Sequence, residues 1–338
     1  MSVETNKEKL DLEFDRLVNL DDINSSRKII FSTNLIRRTP MLKDCENFSD
    51  TIIDINKNLA SKFSLNFKLE NMQNQGSYKI RGIMNRVNKI DPSKKLVTMS
   101  AGNFGRSFAF ASSLLKYDST IIMPDTAPID RIEVCRNFGC NVELAERDFI
   151  TDKVQSFIEN NYEFIHPFDH FDIISAVGSV GLEILEDMED VDLIIVGIGG
   201  GSLISGIATA VKLSGSKAKI IGVEPEGAAK MYISLQKNEP HKLEKITSFV
   251  NGLSAPYAGK ITFKHVKEYV DEVVLVKDES VKKAMKLLYN DYKIVTCSAG
   301  AACLASILEN KIDICGKKVV CVISGGNCTA KEMSTIIE

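Results

Sequence analysis

From residue 63 to residue 323, short apolar runs alternate with segments of helical periodicity, and no other feature constrains the fold as tightly. Phe63 to Leu69, Leu96 to Ser100, Thr120 to Pro124, Asn141 to Leu144, Glu163 to Ile165, Val191 to Val196, Lys219 to Val223, Glu272 to Val276 and Lys318 to Ile323 read as strands. The intervals Ser77 to Lys89, Phe104 to Leu115, Ile129 to Phe138, 151–160, Ile173 to Met188, Leu203 to Leu213, Ser280 to Asn290 and Ala299 to Ile307 read as helices. Gly178 and Gly181 fit the fifth of these poorly. Such alternation implies parallel sheet with helices on both faces, here an open α/β protein with a smaller α/β domain embedded in a larger one. Residues 225–262 carry no clear period and are expected to be irregular, a lid or a substrate loop. Residues 4–25, with Leu10, Phe14, Leu17, Val18 and Ile23 at roughly helical spacing, suggest one or two surface helices.

Composition narrows the class. A chain of 338 residues with 44% apolar side chains can bury a full core. The net charge of -3 argues against a nucleic-acid partner. The eight cysteines form no CxxC pair and several lie in apolar runs, so buried free thiols are expected rather than disulfides or a zinc site. No apolar signal region opens the sequence and no apolar run approaches membrane-spanning length; a cytoplasmic protein is expected.

The chemistry concentrates where strands give way to helices. After the run Phe67 to Leu69, polar residues lead to Gly76-Ser77, and a helical face of Ile80, Ile83, Met84 and Val87 follows. Ser77 reads as the N-cap, with Gly76 permitting a sharp turn before it. Lys79 then falls in the first turn, where the macrodipole disfavours a cation. It is either an idle surface lysine or a nucleophile and Schiff-base former. Gly199-Gly200-Gly201-Ser202 follows a strand and opens a helix; four small residues exceed the needs of a tight turn and favour a phosphate site. It is neither a P-loop nor a GxGxxG. Ser100-Ala101-Gly102-Asn103 could bind a carboxylate through backbone N–H groups, but taken alone Asn103 reads as a helix cap. Ser324-Gly325-Gly326-Asn327 taken alone is a turn. Together the three lie at strand C-termini, where open α/β sheets place ligands.

These motifs in this order resemble the serine/threonine dehydratase family of pyridoxal-phosphate (PLP) enzymes, the fold-type-II or tryptophan-synthase-β-like group. The resemblance rests on Lys68-x-Glu70-Asn71-x-Gln73-x-x-Gly76-Ser77-Tyr78-Lys79-x-Arg81-Gly82, the Ser100 and Gly199 junctions, His166-Pro167-Phe168-Asp169, and Ser324 to Asn327. It spans Arg38 to Asn327. It implies two open, largely parallel twisted sheets with flanking helices: a large PLP-binding domain from 1–94 and 170–338, and a small α/β domain from 95–169. It implies that Lys79 carries the cofactor as a Schiff base and moves the Cα proton, that Tyr78 flanks the ring, and that Asn103 bonds the phenolic oxygen. Gly199, Gly200, Gly201 and Ser202 would hold the phosphate, and Ser324 would face the pyridine nitrogen. A hydroxyl there makes the cofactor a weaker electron sink than a carboxylate would, which favours β-elimination. The implied reaction dehydrates and deaminates a β-hydroxy amino acid such as serine, threonine or 3-hydroxyaspartate to a 2-oxo acid and ammonia. Ser100, Ala101, Gly102, Asn103 and Arg106 are the candidate substrate contacts, and a homodimer is expected.

The sequence also departs from the family. Ala101 stands where its serine racemases place a serine, so racemisation should be poor. Phe104-Gly105-Arg106 replaces a more usual His-x-Gln, and Cys297 a Glu. The Gly199 to Ser202 loop lacks the family's fourth glycine. Glu224 and Ala228 match a divalent-cation loop in which Lys230 replaces the acidic ligand; a lysine repels a hard cation, so no metal is expected. The regulatory C-terminal domain of biosynthetic threonine deaminases is expected to be absent. Arg106, one helical turn from Asn103, either offers a fork for a second substrate carboxylate or points to solvent or pairs with a structural acid. The rival readings are β-replacement of the cysteine-synthase type, and a non-catalytic relative that binds PLP or an amino acid.

Overall fold

The computed structural model describes residues 16–337. The helical reading of residues 4–15, with Leu10 and Phe14, lies outside them. Ten strands run in chain order: β1 (Met41–Leu42), β2 (Ser64–Leu69), β3 (Leu96–Met99), β4 (Ser119–Pro124), β5 (Asn141–Ala145), β6 (Glu163–Phe164), β7 (Leu193–Gly197), β8 (Lys219–Pro225), β9 (Glu272–Val276) and β10 (Lys318–Ile323). They form a six-stranded sheet in the order β1-β2-β10-β7-β8-β9 and a four-stranded sheet in the order β5-β4-β3-β6. All neighbours are parallel except β1, which pairs antiparallel with β2. The strands of the small sheet are contiguous in sequence between β2 and β7. The chain is therefore a set of crossover units, as the strand and helix alternation requires.

The last strand lies near the middle of the large sheet. β10 pairs with β2, Ile323 beside Leu69, and with β7, Cys321 beside Ile195. The loops leaving β2, β10 and β7 are therefore neighbours at one sheet edge. Helices cover both faces. Asp278–Asn290 and Ser298–Leu308 pack on one apolar cluster of the large sheet, and Phe171–Asp187, Ser202–Leu213 and Lys260–Tyr269 contribute to clusters on the other. Gly178 is accommodated in its helix because two helices nearly touch there: a Cβ on Gly206 would lie 2.6 Å from the Gly178 nitrogen. Ile80, Ile83, Met84 and Val87 of the helix Lys79–Val87 are buried in a third cluster with Leu96, Phe104, Phe108 and Ile121. Each such burial contributes roughly 1.5–3 kcal/mol, so this face fixes the helix to the small sheet.

Several expectations are corrected. Ser77 is not the N-cap: it is extended, pairs as an antiparallel bridge with Gly325, and its hydroxyl has no partner. Bridging to the loop after β10 takes the backbone that a cap would use, and the helix starts at Lys79 without a side-chain cap. Asn103 does not cap either, because it is the first helical residue and its side chain is used elsewhere. The interval 225–262 is not wholly irregular, since Lys230–Lys237 is a helix anchored by Glu224, and Lys260 opens another. All eight cysteines are free, and Cys45, Cys135, Cys140, Cys303 and Cys321 are buried.

Arg81, fully buried, ties the Lys79 helix to the large sheet. Its guanidinium donates to Glu70 at 2.8 and 2.9 Å and to Glu183 at 2.6 and 3.1 Å. Lys68 sits 2.9 Å from Glu183 on the far side. Burial opposes the charge, and the two glutamates outweigh it, holding Arg81 above the usual arginine range. Arg81→Met leaves Glu70 and Glu183 buried without their cation and is expected to cost roughly 3–5 kcal/mol of stability, read as a lower chemical-denaturation midpoint. Arg81→Lys is expected to rescue little, because a point charge cannot serve both carboxylates as a planar fork does.

Candidate active site

Four strand-to-helix junctions meet at one edge. The segment 70–78 after β2 and the segment 324–327 after β10 are joined by the Ser77–Gly325 bridge. The Tyr78 N–H donates to the Ser324 carbonyl at 3.2 Å, and the Gly326 N–H to the Gly76 carbonyl at 2.8 Å. A Cβ on Gly325 would lie 3.0 Å from Asn103 Nδ2 and 3.1 Å from Ser77 Cβ, so a side chain there would press these segments apart by a few tenths of an ångström. Gln75 and Gly76 take left-handed backbone (φ 61° and 69°), which turns the chain sharply before Lys79.

Lys79 is half-buried at this junction. Its Nζ lies 4.9 Å from the Tyr78 ring centre and 5.8 Å from that of Phe104. Among the described residues no carboxylate pairs with it, whereas Arg81, two residues on, is saturated. Phe104 was read in the sequence only as a replacement for His; its nearness to Lys79 had no signal there.

The small sheet contributes Ser100 to Arg106. Ser100 Oγ accepts the N–H groups of Gly102 and Gly105, both at 3.2 Å. This limits the carboxylate nest expected at Ser100-Ala101-Gly102, since two of the local N–H groups are already used. Asn103 Oδ1 accepts from Asn327 Nδ2 at 2.9 Å, and that same nitrogen donates to the Gln75 carbonyl at 2.8 Å. The amide of Asn103 is thus oriented, its Nδ2 turned toward Cys297 Sγ at 3.9 Å. Arg106 Nε donates to Gln75 Oε1 at 3.3 Å, so Arg106 reaches the segment leading to Lys79 directly and Asn103 reaches it through Asn327. The Ala101 carbonyl accepts from Arg131 at 3.2 Å.

The Gly199-Gly200-Gly201-Ser202 turn opens the 12-residue helix Ser202–Leu213, which has no side-chain cap, and Ser202 Oγ is buried without a partner. A Cβ on Gly200 would lie 2.0 Å from the Phe168 ring, so Phe168 forms the wall of this turn. Tyr78 packs on the apolar cluster containing Ile198 and Leu203, which links Lys79's neighbour to the turn. An uncapped helix start, an unpartnered hydroxyl and consecutive glycines suit a phosphate, and an unpaired amine suits an aldehyde. The residues present therefore fit pyridoxal phosphate.

His166 braces the wall. Its Nδ1 accepts the N–H groups of Phe168 and Asp169 at 3.2 and 2.8 Å, which leaves the proton on Nε2, 3.2 Å from the Tyr257 hydroxyl. Burial, then the nearby His170 and the charge of Lys79, push His166 down to about 4. Asp169 in turn accepts the N–H groups of Lys260, Ile261 and Thr262 at 2.8 to 3.0 Å and so caps the helix Lys260–Tyr269. Tyr257 and Thr262, whose hydroxyl donates to the Gly200 carbonyl at 2.8 Å, carried no motif signal in the sequence.

Behind the turn, Lys230 is fully buried. Its Nζ donates to Leu253 O at 2.7 Å and Ile198 O at 2.8 Å, lies 2.8 Å from Glu224 Oε1, and is 3.3 Å from Ala228 O. Burial pulls Lys230 below the usual lysine range and Glu224 opposes the shift. Three short contacts to atoms that only accept need three N–H donors, so the group is an ammonium. Among the described residues no three His, Cys, Asp or Glu are placed to hold a metal ion.

His166 and His170, both pushed to about 4, set an acid limit. Below the unfolded value of 6.5 the unfolded chain takes up protons that the folded rings refuse until about 4. Stability is therefore expected to be full above that window and to decline as pH falls through it. His166→Asn, whose amide can keep an acceptor near Phe168 and Asp169, should flatten the slope of unfolding free energy against pH by about one proton.

The model of the family described as "Pyridoxal-phosphate dependent enzyme" matches residues 33–325. A catabolic L-threonine dehydratase of Staphylococcus aureus is 35% identical over 336 residues, 97% of this chain and 94% of that protein. Among solved structures, a serine racemase of Dictyostelium discoideum superposes with a TM-score of 0.81 at 33% identity, covering 92% of this chain and 99% of that one. The processed threonine deaminase isoform 2 of Solanum lycopersicum gives 0.83 at 27% identity, covering 95% and 94%. With these matches over nearly its whole length, on a fold of two mainly parallel sheets, the chain belongs to the serine/threonine dehydratase family of fold-type-II, pyridoxal-phosphate-dependent ammonia-lyases.

Proposed function

We propose that the substrate is L-threonine or L-serine, that Lys79 holds the cofactor, and that its Nζ takes the Cα proton. The observation that carries this reading is an amine without a carboxylate partner where four strand-end segments converge. The dehydratase and deaminase names of the relatives support the substrate class.

When bound, pyridoxal phosphate supplies the electron sink that makes the Cα proton removable. The chain's residues do the rest. The N-terminus of the helix Ser202–Leu213, with Gly199, Gly200, Gly201 and the unpartnered Ser202 hydroxyl, holds the phosphate. Asn103, its amide set by Asn327, would donate to the phenolic oxygen. Tyr78 would flank the ring, and Ser324 would serve the pyridine nitrogen as a neutral partner. Ser100, Ala101, Gly102 and Asn103 border the substrate carboxylate. His166 stays neutral at physiological pH, which keeps a second positive charge away from Lys79. Loss of water at Cβ yields an enamine that hydrolyses to a 2-oxo acid and ammonia. We place the small domain at residues 95–169, supported by the contiguity of β3 to β6. Unpaired thiols support a reducing compartment such as the cytoplasm, and a homodimer is the state to look for by sedimentation.

Borohydride treatment of the holoenzyme is expected to fix the cofactor to the peptide containing Lys79; a label on another lysine overturns the assignment. Lys79→Ala should lower turnover of threonine by roughly 10²–10⁴-fold or more, measured as 2-oxo acid release.

A second reading concerns Arg106, whose Nε contacts Gln75 beside Lys79 instead of turning to solvent. It offers a fork for a second carboxylate, and 3-hydroxyaspartate is then the better substrate. Arg106→Gln is expected to cost that substrate roughly 2–4 kcal/mol in kcat/KM while sparing serine. An equal loss for both would make Arg106 structural.

A further inference from the structure

Glu224, at the end of β8, is fully buried and accepts the N–H groups of Met231 and Tyr232 at 3.1 and 2.8 Å, at the start of the helix Lys230–Lys237. The first residue of that helix returns its side chain into the same space. Around Lys230 Nζ stand four oxygens from separate parts of the chain: Glu224 Oε1, Ile198 O, Leu253 O and Ala228 O. An oxygen cage of this kind is what a hard cation requires. Here it is filled from within. Contacts of 2.7 to 3.3 Å are ammonium hydrogen bonds and exceed the metal–oxygen distances of about 2.0–2.6 Å that magnesium and calcium demand. The cage offers one carboxylate, and a divalent ion entering it would meet the ammonium at van der Waals range. The residues therefore do not fit the divalent-cation loop that the family resemblance suggested.

What the cage holds in place is also visible. Ile198 immediately precedes Gly199-Gly200-Gly201-Ser202. Leu253 follows Gly252, whose carbonyl would lie 2.8 Å from a Cβ on Gly199. The same carbonyl-bound nitrogen thus pins the entrance of the glycine turn and the segment packed against it. Among the described residues no backbone N–H outside the regular elements donates to either carbonyl, so the ammonium supplies the donor.

We propose that Lys230 is a tethered cation in the place of a bound metal ion, a positioning residue that shapes the phosphate-binding turn and makes the enzyme independent of divalent cations. This deepens the reading of Gly199 to Ser202 as the phosphate site and rests on it. The bland alternative, a lysine stem that merely fills space, is separated by chemistry: an apolar side chain of similar length fills the space but donates nothing.

The test uses the holoenzyme and three chains: wild type, Lys230→Ala and Lys230→Met. Cofactor retention is read by absorbance after dialysis, melting temperature by calorimetry, and kcat/KM by 2-oxo acid release. Wild type is expected to be unchanged by EDTA and by added magnesium, calcium or potassium. Both variants should release the cofactor with an affinity weakened about tenfold or more, as for loss of charged hydrogen bonds. In Lys230→Ala, added potassium or a short alkylammonium should enter the vacated cage and restore both melting temperature and cofactor affinity. Lys230→Met, with the space filled, should not respond. Loss of wild-type activity in EDTA that magnesium or calcium restores overturns the proposal, and so does Lys230→Met that retains cofactor like wild type. Should Lys230→Ala yield no soluble protein in the absence of added cation, the wild-type and Lys230→Met arms still decide. If wild type binds no cofactor at all while Lys230→Ala still regains its melting temperature with added cation, the phosphate-site reading fails and the cage reading stands.

Discussion

A buried guanidinium organises this molecule. Arg81 sits on the helix whose first residue is Lys79, and its fork closes on Glu70 from the end of β2 and Glu183 from the helix Phe171–Asp187. The apolar face of the same helix packs on the small sheet. One short helix therefore belongs to both halves: its hydrophobic stripe chooses one neighbour and its single buried charge the other. Apolar packing alone would tolerate a rotation or slide of the helix. A planar fork satisfied by two carboxylates does not, because a shift leaves buried charge unpaired. Lys68 and Thr39 close the cluster by bonding Glu183 Oε2 and Glu70 Oε1, the two oxygens that Arg81 Nη2 also contacts. The position of Lys79 is thus set two residues away from it.

Strand order completes the arrangement. Because β10 lies between β2 and β7, the segment before Lys79, the Ser324 to Asn327 segment and the Gly199 to Ser202 turn emerge side by side. The Ser77–Gly325 bridge extends the β2–β10 pairing beyond the sheet edge, and Asn327 continues it to Asn103 on the small sheet. A chain of backbone and amide bonds therefore carries the geometry of the large sheet across to the smaller one. Small residues mark this path because backbones approach one another closely there, as at Gly325 and Gly200.

That explains what could be read in advance. Apolar runs buried on both faces are near-continuous and bounded by polar turns, so the strands were legible to within a few residues. So was the Ile80, Ile83, Met84 and Val87 face, and so were the glycine junctions, whose composition has a local physical cause. What escaped depends on partners distant in sequence. Ser77 looks like a cap until the loop 248 residues on claims its backbone; no local pattern reports an antiparallel bridge to Gly325. Asn103 looks like a cap until Asn327 takes its oxygen. Helix Lys230–Lys237 has a charged first residue and a weak apolar face, and forms because Glu224 receives its first N–H groups. Tyr257, Thr262 and Phe104 have no signature at all, since any position could supply a ring or a hydroxyl to a neighbouring turn.

Three cations near this edge show how the surroundings assign a role to a charge. Arg81 and Lys230 are both wholly buried, and each has its N–H donors matched to oxygens: carboxylates for one, mostly backbone carbonyls for the other. A group so satisfied has nothing left to offer a ligand, and removing it strands its acceptors, which is the signature of a structural charge. Lys79 is the converse. It is less buried, faces aromatic rings, and among the described residues has no carboxylate to neutralise it. Neutral His166 adds no repulsion, and the buried Glu70 and Glu183 are already paired with Arg81 and Lys68. Local sequence pattern alone leaves Lys79 either idle or nucleophilic; the family motif is what singles it out. The distribution of acceptors separates the three cations: of these, Lys79 alone is left without a carboxylate among the described residues, the state that a Schiff-base former requires.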